Sequence, residues 1–376
     1  MPDAQREADG AECRLQIGKV QSAECRFAGI GERVGGRGNG RERVTDGDQA
    51  TGIRGAGSRG AGRRDTVGDL RNRMANRLSV VWHPAYEVDI GPHVFPTQKY
   101  GLIRARLLEE HTLTPADFVT PEPASDAEVG LVHTDDFIRK IKTGDLSRYE
   151  QMVLEVPFSA ELREAMWLCA GGSIITARHA LELGISTHLG GGFHHAFPDH
   201  GEGFCLINDV AVAIRVLLHE GSINRAAVID CDVHHGNGTA AIFAKDPAVF
   251  TFSMHQERNY PAWKPPSDLD LGLADGTRDE QYLSLLGRHL PEIIQRHRPE
   301  LVFFLAGADP YREDQLGGLD LTIEGLRLRD GLVFDTCRES GVPVALTLAG
   351  GYALRQDDTI EIHCNTVREA ALRQAR

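Results

Sequence analysis

The sequence predicts an α/β protein, a three-layer α/β/α arrangement with a mostly parallel central sheet. Three observations predict it. Short, predominantly apolar runs without a polar face recur from residue 77 onward, as strands buried on both faces require. Longer stretches with helical spacing of apolar residues stand between these runs. Polar and ionisable residues gather where several of the runs stop, and open α/β sheets bind ligands outside the carboxyl ends of their strands.

Taken in order, residues 1–76 differ in kind from the rest. GERVGGRGNGRERV and GIRGAGSRGAGRR are rich in Gly and Arg, nearly free of aromatic residues, and show no sustained period. Such a segment buries too little apolar surface to offset its ordering entropy. It reads as a disordered leader or a start-site artefact, with translation beginning at Met74, and otherwise as a basic arm for an acidic partner. One domain is expected over 77–376.

Within it, strands are expected at LSVVW (78–82), VGLVH (129–133), ISTHLG (185–190), RAAVID (225–230), AVFTFSM (248–254), ELVFFLAG (300–307) and PVALTLAG (343–350). Helices are expected over 98–110, 135–142, 160–183, 208–220, 237–244, 279–297, 323–339 and 358–372. Ser159 and Gly184 bracket the longest of these, and Thr322 and Gly341 bracket 323–339, as caps do.

Bulk properties narrow the function classes. A chain of 376 residues, 41% hydrophobic and 25% charged, is ordinary globular material. A formal net charge of −13 argues against a nucleic-acid partner and suits a cationic one. The seven cysteines form no CxxC pair and sit partly in apolar runs, so reduced thiols and a cytoplasmic location are expected. No apolar run approaches the roughly 18 residues of a membrane span, and no secretory h-region is visible.

The chemistry lies at four strand ends: GGGFHH after 185–190, DCDVHHGNG after 225–230, ADPYRED after 300–307 and GGY after 343–350. Asp230, Asp232 and His234 alternate, so in extended chain they share a face. With Asp309, held extended by Pro310, Asp232 and His234 make a set of two carboxylates and one imidazole for a divalent metal with an open coordination position, zinc or iron(II). The plain alternative is an ion pair of Asp232 with His234 capping the sheet. His194 and His195 can take and return a proton near neutral pH. Tyr352 follows Gly350 and Gly351 and can donate to a developing oxyanion. The triple glycine at 190–192 lacks the flanking pattern of a phosphate loop. His83, His93, His133, His255 and His363 receive no role, and His200 at most borders the site.

These blocks resemble the histone deacetylase superfamily, which has the arginase–deacetylase fold. GGGFHHAF with GFCLINDVAVA, VIDCDVHHGNGTAAIF, FFLAGADPYREDQLGGLDLT and TLAGGY follow the family's order and spacing. The resemblance runs from about His83 to His363, and WHPAYE, FPTQKYGLIRARLLEE and HQERNYPAWKPPSDLDLGLADGT are most similar to the bacterial and class IV branch. It implies zinc on Asp232, His234 and Asp309, His195 as general base, His194 as its protonated partner, and Tyr352 polarising the scissile carbonyl. It further implies that Asp230 hydrogen-bonds His194, and that the backbone of 230–234 with Ser253 wraps a structural potassium ion. Phe204 would form one wall of an acyl-lysine channel and Tyr260 the opposite wall. Asn237 stands where many class I members carry aspartate; an amide orients His195 without adding charge and should lower its basicity. The class I arginine is not evident in FPTQKYG, where Gly101 falls near its place.

The expected function is zinc-dependent removal of acetyl or longer acyl groups from the lysine side chains of proteins by metal-activated water. The alternatives are an acetylpolyamine amidohydrolase and a non-catalytic binding module on the same fold. An arginase-like two-manganese centre is disfavoured because its second-metal aspartates are missing from HHGNG and ADPYRED, so one divalent ion per chain is expected.

Overall fold

In the computed structural model, which describes residues 77–374, eight strands form one sheet. They are β1 (Ser79–Val81), β2 (Phe118–Val119), β3 (Ile185–His188), β4 (Ala226–Asp230), β5 (Val249–Gln256), β6 (Leu269–Leu273), β7 (Leu301–Leu305) and β8 (Val344–Thr347). Across the sheet the order is β2-β1-β3-β8-β7-β4-β5-β6, and every pairing is parallel. The leader reading for 1–76 concerns residues outside the described ones.

The helices are α1 (Lys99–Glu109), α2 (Asp126–Val129), α3 (Asp135–Thr143), α4 (Arg148–Leu154), α5 (Ala160–Leu183), α6 (Asp209–His219), α7 (Asn237–Ile242), α8 (Asp279–His297), α9 (Ile323–Glu339) and α10 (Gln356–Gln374). Successive strand residues point to opposite faces, and the core divides accordingly. Val228, Phe303, Leu305 and Ala345 pack in one apolar cluster with α5 and α6. Ala227, Ile229, Val302, Phe304 and Leu346 pack in a second cluster with α8, α9 and α10. Strands covered on both sides have no polar face to show, which is why β4 and β7 are buried at every position.

Helix boundaries follow local chemistry. The Ser159 hydroxyl accepts from the Leu162 amide, and Gly184 ends α5 at φ +97°. Thr322 caps α9 by accepting from the Gly325 amide, and Gly341 follows the helix at φ +68°. Among the described residues no helix is long and apolar enough to cross a membrane.

Three departures from the sequence reading are local. Residues 129–133 are not a strand: Ser125 and Glu128 form a capping box, α2 runs to Val129, and the Val132 and His133 amides bond back to the Val129 carbonyl. The capped turn wins over a short apolar run. β2, only two residues long, and β6, with its half-exposed alternation, are the sheet's edges and were not expected. The short helices α2 and α4 were likewise not expected.

Candidate active site

The four strand ends expected to converge belong to β3, β8, β7 and β4, which are adjacent and occupy the middle of the sheet. Each loop is shaped by buried polar contacts. The glycine turn after β3 takes φ +72° at Gly191 and +84° at Gly192, and buried Asp209 accepts from the Gly192 and Phe193 amides at 3.1 and 2.8 Å. The chain therefore reverses just before His194 and His195. The ends of β4 and β7 are joined by Arg329 of α9, which is fully buried. Its guanidinium donates to the Gly307 carbonyl at 2.6 Å and the Cys231 carbonyl at 3.2 Å, and pairs with Asp330 at 2.8 Å.

At the floor, ligand atoms of Asp232, His234 and Asp309 lie within 4.8 Å of one another, all three residues buried. His234 Nδ1 faces both carboxylates, 3.1 Å from Asp232 Oδ1 and 3.4 Å from Asp309 Oδ2. The Gly350 amide donates to Asp232 Oδ2 at 2.8 Å and the Val233 amide to Asp309 Oδ1 at 2.9 Å, fixing both carboxylates. A Cβ on Gly350 would collide with both, so this approach needs glycine. Asp309 Oδ2 is buried without a hydrogen-bond partner, and buried carboxylates stay charged only when paired or bound to metal. The donor set, its closeness and this orphaned oxygen fit a divalent cation. Electrostatics agree: burial and then Asp232 push Asp309 up to about 7. Burial lowers His234, but the hydrogen bond to Asp232 and the neighbouring Asp309 carboxylate outweigh it and raise the ring to about 10.

Beside this floor the two imidazoles differ. His194 Nδ1 lies 2.7 Å from Asp230 Oδ2; burial opposes its charge, but Asp230 and Asp232 raise it to about 9. Burial, followed by the charges of His194 and His234, holds His195 well below the usual imidazole range. Asn237 Nδ2 donates to Glu202 Oε1 at 2.9 Å, and a carboxylate only accepts, so Asn237 Oδ1 must face His195 Nδ1 at 2.7 Å and receive its proton. His195 Nε2 is thus left as the acceptor, 3.1 Å from His194 Nε2.

Above the floor, Phe204, Tyr260, Leu316 and Tyr352 line a pocket together with His195 and His234, and exposed Glu155 stands at its mouth. The Tyr352 ring packs edge-on to Phe95, Phe204 and His234, and burial, with Asp232 and Asp309, keeps its phenol well above its ordinary value. Tyr260 donates to Glu202 Oε1 at 2.9 Å. The structure thus brings His194, His195, Asp230, Asp232, His234, Asn237, Asp309 and Tyr352 together below, and Phe204 with Tyr260 as walls above.

Sequence reasoning missed Glu202, Glu155, Arg329 and Lys99. Lys99 is fully buried and donates to the Ala349 carbonyl at 2.8 Å, just before Tyr352. The buried cation of FPTQKYG is therefore this lysine, two residues ahead of the place assigned to Gly101. Burial lowers it to about 8, with Asp309, Asp232 and Asp314 opposing.

Comparison with known proteins places this geometry in a class. Residues 93–367 match the histone deacetylase domain, and the chain belongs to that family. It is 42% identical over 285 residues to an uncharacterized protein of Picosynechococcus sp., covering 76% of this chain and 95% of that protein. A probable deacetylase of Methanothermobacter thermautotrophicus is 30% identical over 295 residues, covering 73% of this chain and 86% of the relative. Acetoin utilization protein AcuC of Bacillus subtilis is 30% identical over 301 residues, covering 72% and 76%. The crystal structure of a histone deacetylase homologue complexed with SAHA superimposes with a TM-score of 0.67 at 22% identity, over 78% of this chain and 84% of that one. The fold is therefore that of the histone deacetylases, and the chain carries a deacetylase domain of a family of amide hydrolases.

Proposed function

We propose that the protein is a zinc-dependent deacylase that removes acetyl or longer acyl groups from lysine side chains of proteins. The observation that carries this reading is the convergence of the Asp232–His234–Asp309 donor set, the two unlike imidazoles and Tyr352 at the base of one apolar-walled pocket. Zinc held by those three residues would supply an electrophile for the acyl oxygen and lower the pKa of water.

The protein's own residues do the rest. His195 Nε2 takes the proton of the attacking water; its Nδ1–H, held by Asn237, keeps it in the accepting tautomer. Glu202 is a positioning residue that orients the Asn237 amide and the Tyr260 phenol together. His194, kept protonated by Asp230, stabilises negative charge beside His195 and can protonate the departing amine. Tyr352 donates to the oxyanion of the tetrahedral species. Phe204 and Tyr260 flank an aliphatic stem, which sits between apolar faces without losing hydrogen bonds.

A second reading, an acylated polyamine as substrate, is favoured by the carboxylate at the mouth: burial and Glu202 raise the Glu155 carboxyl, and both groups would welcome a cationic amine. Turnover of acyl-lysine peptides of increasing acyl length should be compared with that of acetylspermine-type compounds. Faster peptide hydrolysis, lost with a chelator and restored by zinc, is expected. Preference for the polyamine selects the second reading, and no hydrolysis of either class by zinc-loaded protein overturns both.

A further inference from the structure

A second cluster with metal-ligand chemistry lies at the sheet's edge, sharing no residue with the first. Donor atoms of His235, His255 and Asp270 fall within 4.8 Å of one another. They come from three segments: the loop between β4 and α7, the end of β5, and edge strand β6. The two rings meet edge-on, with centroids 4.7 Å apart.

The cluster is preorganised in the manner of a ligand set. His255 Nδ1 is engaged by Ser253 Oγ at 3.0 Å, leaving its Nε2 to offer. Asp270 Oδ2 accepts from the Ser267 amide at 2.9 Å, which turns Oδ1 toward His235. Oδ1 lies 3.1 Å from His235 Nε2, close to the separation of about 3.3 Å that two ligands adopt on one tetrahedral zinc with bonds near 2.0–2.1 Å. Partners that pin the far atom of a ligand, as here for His255 and Asp270, are the usual outer support of metal sites. His235 is fully buried and its Nδ1 has no hydrogen-bond partner, so the ring is under-satisfied by the protein around it. Asp270, with its side chain 32% exposed, gives the cluster a path to solvent.

We infer that His235, His255 and Asp270 form a second site for a borderline divalent transition ion, of the zinc class, with its remaining coordination position open to water. An ion there clamps the segment that carries Asp232, His234 and Asn237 to β5 and the edge strand β6. The zinc stoichiometry of the chain then rises from one to two.

Full-length protein is stripped with a chelator, equilibrated with excess zinc chloride, desalted, and its metal measured by elemental analysis. Wild type should hold two ions per chain, Asp270→Asn one, Asp309→Asn one, and the double variant none. Asp270→Asn keeps an acceptor for the Ser267 amide on an exposed edge. His255→Gln, which should also hold one ion, serves as the second variant should that chain fail to fold. Zinc should raise the melting temperature of Asp309→Asn but not that of the double variant. Saturation of wild type at one ion, or two ions retained by both Asp270→Asn and His255→Gln, overturns the inference. The Asp309 arm tests the proposed catalytic metal separately, so failure of one site is distinguishable from failure of the other.

Discussion

The floor and the mouth of the pocket are built on opposite physical terms. At the floor, Asp232, His234, Asp309, His194 and His195 are buried, and each carboxylate or ring is held by a backbone amide or a charged neighbour. Charges interact strongly there because little water screens them, so neighbouring imidazoles are driven apart, His194 to about 9 and His195 downward. At the mouth, Phe204, Tyr260 and Leu316 are half-buried, and Glu155 is exposed where water screens it. The floor is therefore suited to stabilising a transition state, and the mouth to binding that is equal in ground and transition states.

Substitutions can break or sharpen this contrast. Tyr352→Phe should lower kcat by ~10²–10³-fold while metal content, measured by elemental analysis, stays unchanged, since the ring packing survives and only the oxyanion donor is lost. Turnover near wild type would remove Tyr352 from the floor's chemistry. Glu202→Ala touches both regions through Asn237 and Tyr260, and should lower kcat by about 10-fold, the lower end for outer-shell partners, and shift the pH profile of kcat/KM. A change confined to KM would make Glu202 a mouth residue. Glu155→Gln should raise KM for a cationic peptide roughly two- to fivefold with kcat unchanged, on the scale of an exposed ion pair. An equal fall in kcat would erase the distinction between the regions.

The smallest effect concerns rings outside the pocket. His133 is lowered to about 4 and His188 to about 3, by burial in both cases. The unfolded chain binds more protons than the folded one from pH ~6.5 downward, so each ring withdraws stability as pH falls, at about 1 kcal/mol per pH unit, until its folded value is reached. Denaturant melts between pH 7 and 5 should show the slope, and His133→Gln should flatten it, whether or not the chain hydrolyses anything.

The legible part of the molecule was its centre. Strands β4, β7 and β8 are buried at every position and almost wholly apolar, and ionisable residues stand at or just beyond their ends, so both the sheet and the strand-end constellation could be read from short windows. The edges could not. β6 alternates exposed and half-buried residues and resembles a loop in sequence, while β2 is too short to carry a period. Supporting charges were hidden for a different reason. Lys99 meets Ala349 across 250 positions, and Arg329 sits in RLRDG, which reads as a solvated helix face. Their importance lies in long-range partners that no local pattern contains. Glu202 became visible only when folding set it behind Asn237.

Arg329 also ties two helices to the strand ends. Its partner Asp330 accepts from the Thr366 hydroxyl of α10 at 2.6 Å, so a single polar chain runs from α10 through α9 to the carbonyls of Cys231 and Gly307, beside Asp232 and Asp309. The back of the enzyme is thus not inert scaffolding. A sidestep of the last helix would strain the Thr366–Asp330 bond and, through Arg329, the backbone beside Asp232 and Asp309.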